Sequence, residues 1–286
     1  MRILVTGAGG QLADASAAGY AGIADVLALS HAELDITDDD AVRQRVSAFR
    51  PDVIINCAAY NHVDRAEEEA VQALNVNAFA LRTLARSASA AGATLVHYST
   101  DFVFDGRASS PYTEDDLPNP QGAYAASKLL GEWFARDAPR AFVLRVESLF
   151  GGPTAKSSVD RIVDVLAEGR EARVFTDRTV SPSYVVDVVA ATRGLLERGR
   201  PGLYHCVASG FCTWYELGQE IARQLGGSAH IVPISVKDVS LPAVRPQFAA
   251  LSNAKLLGAG ISMPSWQDAL SRYLRIRSQN LRPATP

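Results

Sequence analysis

The first thirteen residues constrain the fold more than any other stretch of the chain. Ile3-Leu4-Val5 is a short apolar run that leads directly into Thr6-Gly7-Ala8-Gly9-Gly10-Gln11-Leu12-Ala13, and an alanine-rich segment suited to a helix follows. Strand, glycine turn and helix in that order open a dinucleotide-binding unit. Gly7, Gly10 and Ala13 have the spacing at which small residues let the backbone approach a pyrophosphate at a helix N-terminus. A glycine-rich segment alone is also compatible with a plain tight turn, so the rest of the chain has to supply context.

Further strands follow at the intervals expected of alternating strand and helix. Asp25 to Ser30 reads as the second strand, Pro51 to Cys57 as a third that is buried on both faces, and Thr94 to Ser99 as the fourth. A helical pattern runs from about Asp64 to Ala91 and contains Asn77; another carries Tyr124. The strand Phe142 to Arg145 completes a first half, with Ala58-Ala59-Tyr60 after the third strand leaving room for a cofactor. After Gly151-Gly152-Pro153 the alternation weakens. Helices are expected over Ser158 to Glu168 and Tyr184 to Glu197, a short strand over Arg173 to Phe175, and a strand over Leu203 to Cys206 that returns to the main sheet.

The expected fold is therefore α/β, a Rossmann-type doubly wound parallel sheet with a smaller C-terminal α/β lobe. Residues 1–150 form the cofactor-binding unit, with 181–208 returning to it; 151–180 and 209–286 form the substrate-binding lobe. Trp214 and Trp266 fall on amphipathic helices and read as core residues rather than ligand stackers, and the Arg- and Pro-rich end after Arg277 as a frayed tail.

The chemistry concentrates between Ser99-Thr100-Asp101 and Tyr124-Ala125-Ala126-Ser127-Lys128. Four residues apart on a helix, Tyr124 and Lys128 share a face, so an ammonium sits near a phenol and is expected to favour its ionised form. Thr100, at the end of a buried strand, can hydrogen-bond a substrate carbonyl. Together these groups suit carbonyl reduction. The second strand ends in Ser30 and His31 rather than an acid, so nothing there opposes a 2′-phosphate. Both NADP and NAD fit, with NADPH favoured. Asp35 is read either as facing the adenine or as capping the helix that begins near Asp38.

At 286 residues, with 48% apolar and 21% charged residues and a net charge of −3, the chain is that of a soluble protein with a sizeable core. No basic stripe suits nucleic acid. Asp38-Asp39-Asp40 and Glu67-Glu68-Glu69 read as solvated helix starts, and no metal is expected. Cys57, Cys206 and Cys212 lack metal-site or redox spacing and read as reduced packing residues. The apolar N-terminal run is too short for a signal peptide and no run reaches the length of a membrane span, so a cytoplasmic location is expected. A homodimer is among the states allowed.

Several motifs in register resemble one family, the extended short-chain dehydrogenase/reductases, and within it the dTDP-4-dehydrorhamnose reductases. They are Gly7-x-x-Gly10-Gln11-Leu12, Pro51 to Asn56, Val63-Asp64-x-Ala66-Glu67, Tyr98 to Gly106, and Tyr124-x-x-x-Lys128. The resemblance spans nearly the whole chain. It implies NAD(P)H-dependent reduction of a nucleotide-linked 4-keto sugar, with Tyr124 as acid, Lys128 holding the nicotinamide ribose, and Thr100 and Asp101 at the reacting sugar. By the same resemblance Gly10, Gln11, Leu12, Asp35, Ile36, Ala58, Ala59 and Tyr60 are cofactor contacts; Gly7, Ser30, Asn77 and Ser99 complete that set. Glu147, Ser148 and Arg245 are expected on the substrate side.

Ser148 stands where the family usually has tryptophan, and Ala249 where its Arg-Pro-x-x-Ser pattern ends in serine. Both departures predict a sugar other than that of dTDP-4-dehydrorhamnose. Two rivals remain open: an epimerase or dehydratase of the same superfamily, and a cofactor-binding regulatory subunit resembling the methionine adenosyltransferase β-subunit. Phe102 after Asp101, where a dehydratase would carry glutamate, argues against the first.

Overall fold

A computed structural model describes residues 1–153, 155–226 and 230–281. The first half alternates strand and helix: β1 (Arg2–Thr6), α1 (Gln11–Tyr20), β2 (Asp25–Leu29), α2 (Asp39–Phe49), β3 (Val53–Asn56), α3 (Ala70–Leu74), α4 (Ala80–Ala91), β4 (Thr94–Thr100), α5 (Ala123–Ala135) and β5 (Ala141–Val146). In the second half follow β6 (Leu149–Phe150), α6 (Ser158–Ala167), β7 (Ala172–Phe175), β8 (Thr179–Val180), β9 (Ser183–Tyr184), α7 (Val185–Arg198) and β10 (Gly202–His205). The remaining elements are β11 (Cys212–Thr213), α8 (Trp214–Leu225), β12 (Ile231–Ile234), α9 (Ala254–Gly258) and α10 (Trp266–Leu281).

The central sheet is parallel, with six strands in the order β10-β5-β4-β3-β1-β2. Its two faces follow from strand alternation. Ile3, Val5, Ile55, Val96 and Leu144 pack with Tyr20 of α1 and Val185 and Val188 of α7. Leu4, Ile54, Leu95 and Val143, one residue out of phase, pack with Val42 of α2 and Leu81 and Leu84 of α4. The winding reverses between β1 and β3, and a doubly wound sheet binds ligands outside the carboxyl ends of its strands at such a point. β10 joins β5 in parallel register, from Gly202 opposite Phe142 to His205 opposite Arg145, as expected for the returning strand.

The single helix expected from Asp64 to Ala91 is interrupted. A 3₁₀ turn covers Arg65–Glu67, and a π-helical turn over Asn75–Phe79 separates α3 from α4. The physical reason lies in Asn77 and Gly131. The Asn77 side chain is buried and clamps the Tyr60 backbone, accepting from its N–H at 2.8 Å and donating to its carbonyl at 3.0 Å. On α5, a Cβ at Gly131 would collide with the Asn77 carbonyl, so glycine is what lets α5 approach the widened turn.

Small sheets carry the second half: β6 pairs with β9, β7 with β12, and β8 with β11. Reciprocal capping pairs start α6 (Ser157 with Asp160) and α8 (Thr213 with Glu216). Trp214 and Trp266 both join the core. The chain does not fray after Arg277: α10 continues to Leu281, and Arg277 donates to Asp164 of α6 at 2.7 Å. Residues 282–286 of the expected tail lie outside the described residues. No helix among the described residues is long and apolar enough to cross a membrane.

Candidate active site

The glycine turn is shaped by close approach. Gly7 has φ +80°, and a Cβ there would lie 2.7 Å from the Ala58 backbone nitrogen, so the turn packs directly on the segment leaving β3. Gly10 caps α1 without a side-chain acceptor, which leaves helix N–H groups directed outward. Gln11 donates to the Gly151 carbonyl at 2.5 Å and ties this end of α1 to the chain beyond β5. These features fit a dinucleotide pyrophosphate: its oxygens need N–H donors and a wall without side chains.

From this turn a cavity of about 500 Å³ runs along the carboxyl ends of the strands. It brings together Gly10, Gln11, Leu12, Ala59, Ser99, Thr100, Asp101, Tyr124, Lys128, Glu147, Ser148 and Arg245, all anticipated from the sequence. Gly7, Ser30, Asp35, Ile36, Ala58, Tyr60 and Asn77 do not line it. Gly7 and Ala58 form the packed floor of the turn. Asn77 spends its amide on Tyr60 and on the Ser127 hydroxyl at 3.0 Å, so it positions the bed and α5 and does not face the cavity. Tyr60 is buried and bonds Glu69 through its hydroxyl, and Ile36 is core.

Asp35 does not cap α2. Its carboxylate accepts from the Thr37 N–H and hydroxyl, while Asp38 caps the helix through the N–H groups of Asp40 and Ala41. Two acids of the second run, Glu67 and Glu69, have partners too. Glu67 accepts from the Ala123 N–H at 2.9 Å and so anchors the first turn of the Tyr124 helix.

Tyr124 and Lys128 share the buried face of α5, but the expected electrostatic effect on the phenol is corrected by its surroundings. Burial and then the neighbouring Asp101 push the Tyr124 phenol upward, so it holds its proton, and a hydrogen bond with Thr100 opposes this only in part. Lys128 donates to the Tyr98 carbonyl at 2.6 Å, and burial lowers it to about 8, with Glu132 pulling the other way. Glu132, one further turn along α5, forms a buried ion pair with Arg145 at 2.8 Å and accepts from Ser99 at 2.6 Å.

The substrate side holds residues that the sequence reading missed. Arg161, Arg178 and Trp214 line the cavity, and with Ser158 they also line an adjoining one of about 430 Å³ that contains Ile162, Val165, Val174 and Phe175. Trp214 therefore belongs to the core and to the cavity wall at once. Arg245 is set by Asp64 at 2.8 Å and lies over the Phe102 ring. No local motif marks Arg178 or Arg161, because they enter from the second half of the chain.

With this geometry in hand, comparison with known proteins is decisive. Residues 1–278 match the family model described as the RmlD substrate binding domain. The chain belongs to the RmlD family. Among relatives, a dTDP-4-dehydrorhamnose reductase of Mycobacterium tuberculosis is 36% identical over 286 residues, 96% of this chain and 92% of that protein. Among solved structures, a dTDP-4-dehydrorhamnose reductase of Clostridium acetobutylicum superposes with a TM-score of 0.93 at 33% identity, covering 97% of this chain and 100% of that one. The enzyme of the same description from Bacillus anthracis, in complex with NADP, gives 0.91 at 32% identity, over 96% and 99%. RmlD membership places the chain among the dTDP-4-dehydrorhamnose reductase-like extended short-chain dehydrogenase/reductases, NAD(P)-dependent oxidoreductases acting on sugar nucleotides.

Proposed function

We propose that the chain reduces the 4-keto group of a nucleotide-linked sugar, with Tyr124 supplying the proton. The observation that carries this reading is the single cavity joining an uncapped helix N-terminus, the Thr100/Tyr124/Lys128 group and three arginines. Residues 1–150 with 181–208 act as the cofactor-binding unit, supported by the return of β10 to the sheet, and 151–180 with 209–286 act as the substrate lobe.

The N–H groups at the start of α1 and the Gly7 turn bind the cofactor pyrophosphate, and Lys128 orients the nicotinamide ribose. When bound, the reduced nicotinamide supplies a hydride equivalent. Thr100 fixes the keto oxygen. Tyr124, kept protonated by burial and by Asp101, delivers its proton to that oxygen as negative charge develops on it. Arg161, Arg178 and Arg245 match a diphosphate, and the adjoining cavity, where Ile162, Val174, Phe175 and Trp214 stand beside Glu171 and Arg173, suits a base. Ser148, which lines the cavity, favours a sugar other than that of dTDP-4-dehydrorhamnose, and Trp214 supplies an aromatic wall from another element. Ala249, expected on the substrate side, is fully buried and does not line the cavity, so the missing serine hydroxyl carries no part of that specificity. Thermal unfolding with NADH, NADPH and a panel of nucleotide sugars tests the reading; selective stabilisation is expected, and no shift with either cofactor would refute it.

Cofactor choice falls at the end of β2. Ser30 offers no acid of its own, but the turn brings the Glu33 carboxylate onto the Ser30 N–H at 2.8 Å and hydroxyl at 2.7 Å. With that carboxylate engaged by Ser30, NADPH is taken to be accepted at least as well as NADH. Glu33→Gln removes the remaining negative charge and is expected to raise the NADPH-to-NADH ratio of kcat/KM by about 3- to 10-fold. An unchanged ratio would place the choice elsewhere.

A further inference from the structure

Glu147 follows the last residue of β5 and enters the cavity beside Asp101, Tyr124 and Arg178. Its side chain is buried, with the residue only 2% exposed. Oε2 accepts from the Ser181 N–H at 2.7 Å, whereas Oε1 is buried without a partner. Ser148, the next residue, has φ +44°, a left-handed backbone for a residue with a side chain. Strain of that kind persists where surrounding structure enforces it, here at the point where the carboxyl is turned inward.

Two carboxyls and one guanidinium share this corner. Asp101 has the better claim to a negative charge, since the Thr100 hydroxyl donates to its Oδ1 at 2.9 Å. Burial nonetheless raises it to about 6. Arg178 offsets one anion and not two. Of the other groups near this corner, Arg245 is paired with Asp64, Lys128 directs its ammonium to the Tyr98 carbonyl, and Tyr124 and Cys212 carry no positive charge. Arg161 lines the cavity from α6, and Arg178 is the cation that lowers Glu147 against its burial. Burial and then Asp101 hold Glu147 well above the usual carboxylate range, against the Ser181 N–H and hydroxyl and the charge of Arg178, which pull it down. An ionised Glu147 would leave a buried anionic oxygen unbonded; a protonated one carries a free donor there.

We propose that Glu147 stands in the cavity as a neutral carboxylic acid whose free edge donates a hydrogen bond to a hydroxyl or carbonyl oxygen of the bound sugar, making it a specificity-determining residue. The proposal rests on the sugar-nucleotide reading above. It separates two duties in one site: Tyr124 gives up a proton during the reaction, and Glu147 keeps its own and selects the ligand. A buried donor without its acceptor is costly, so a sugar lacking oxygen at that position is disfavoured.

Glutamine mimics the neutral acid, because its carbonyl can take the Ser181 N–H while its NH₂ donates; leucine keeps the approximate volume and loses both. On whichever keto sugar the wild type reduces, Glu147→Leu is expected to lower kcat/KM about 10- to 100-fold, mainly through KM, with the NADPH dissociation constant unchanged. Glu147→Gln is expected to recover activity to within about 3-fold of wild type and to lack the alkaline rise in KM that ionisation of the acid causes in the wild type. E147Q as impaired as E147L, with both variants folded and binding NADPH, would mean an ionised acceptor and overturn the proposal; wild-type KM in E147L would also overturn it. A second readout stands apart from turnover. Infrared difference spectra at neutral pH should contain a protonated-carboxyl band that E147Q removes, and its absence in the wild type refutes the neutral acid even if no keto sugar is reduced.

Discussion

Replacing Tyr124 by phenylalanine is expected to lower turnover by about two to four orders of magnitude while leaving NADPH affinity near wild type. The ring is buried, packs edge-on to Phe102 at 5.6 Å between centroids, and keeps that contact as phenylalanine. Only the hydroxyl is lost, and with it the hydrogen bond to Thr100. The fall belongs in kcat, because the proton is needed where charge develops on the keto oxygen and not when the substrate binds. The shift of the phenol fixes the sign of the pH dependence. Since burial and Asp101 raise it, the acid remains protonated through neutral and mildly alkaline pH, so loss of Tyr124's own proton should not limit the rate there. Single-turnover rates of Tyr124→Phe with saturating NADPH measure the effect; wild-type rates would remove Tyr124 from the role of acid.

Glu132→Ala is expected to cost stability on a scale unusual for one substitution, about 3–5 kcal/mol, or roughly 10 °C in Tm. Both Glu132 and Arg145 are about 2% exposed. Arg145 donates to both carboxylate oxygens at 2.8 Å. Its other polar neighbour, His205, lies 3.4 Å away and is pushed down to about 3 by burial and by Arg145 itself, so it offers no countercharge. Without Glu132 the guanidinium is left buried and unpaired, and Ser99 loses its acceptor. Arg145→Met in the same chain should recover part of the loss, because an apolar pair avoids the stranded charge. Chemical denaturation of the two single variants and the double variant checks this; additive losses would contradict the pairing. The effect also reaches the site, since Glu132 helps keep Lys128 charged.

The sheet was legible because its signals are local. Ile3, Leu4 and Val5 announce a strand whose faces alternate between two cores, and the glycines that follow have a packing reason within a few residues of where they stand. The meeting of Thr100, Tyr124 and Lys128 in one cavity was legible for the same reason, as one strand end and one helix face. Glu132 continues the Tyr124 and Lys128 stripe at the next four-residue step, and that spacing could have revealed it. Asn77 was expected at the cofactor, whereas its amide bonds Tyr60 and Ser127 and does not line the cavity. Only the fold brings its amide against the backbone of Tyr60 and its carbonyl against Gly131, where the expected helix widens. Arg161, Arg178 and Trp214 were not found as site residues because what unites them is a cavity built from α6, the chain before β8, and α8. The phenol's direction of shift was misjudged because spacing reveals a neighbouring ammonium but neither the depth of burial nor Asp101.

The central claim is carbonyl reduction on a sugar nucleotide, and its most direct test follows nicotinamide oxidation while the purified protein is offered nucleotide-linked 4-keto sugars, dTDP-4-dehydrorhamnose among them. Stoichiometric conversion of the keto group to an alcohol is expected for at least one substrate, with kcat/KM of about 10⁴ M⁻¹s⁻¹ or more and a much weaker reaction with dTDP-4-dehydrorhamnose than with that substrate. Efficient turnover of dTDP-4-dehydrorhamnose would contradict the specificity read from Ser148. Cofactor binding without oxidation across the whole panel would contradict the enzymatic account itself.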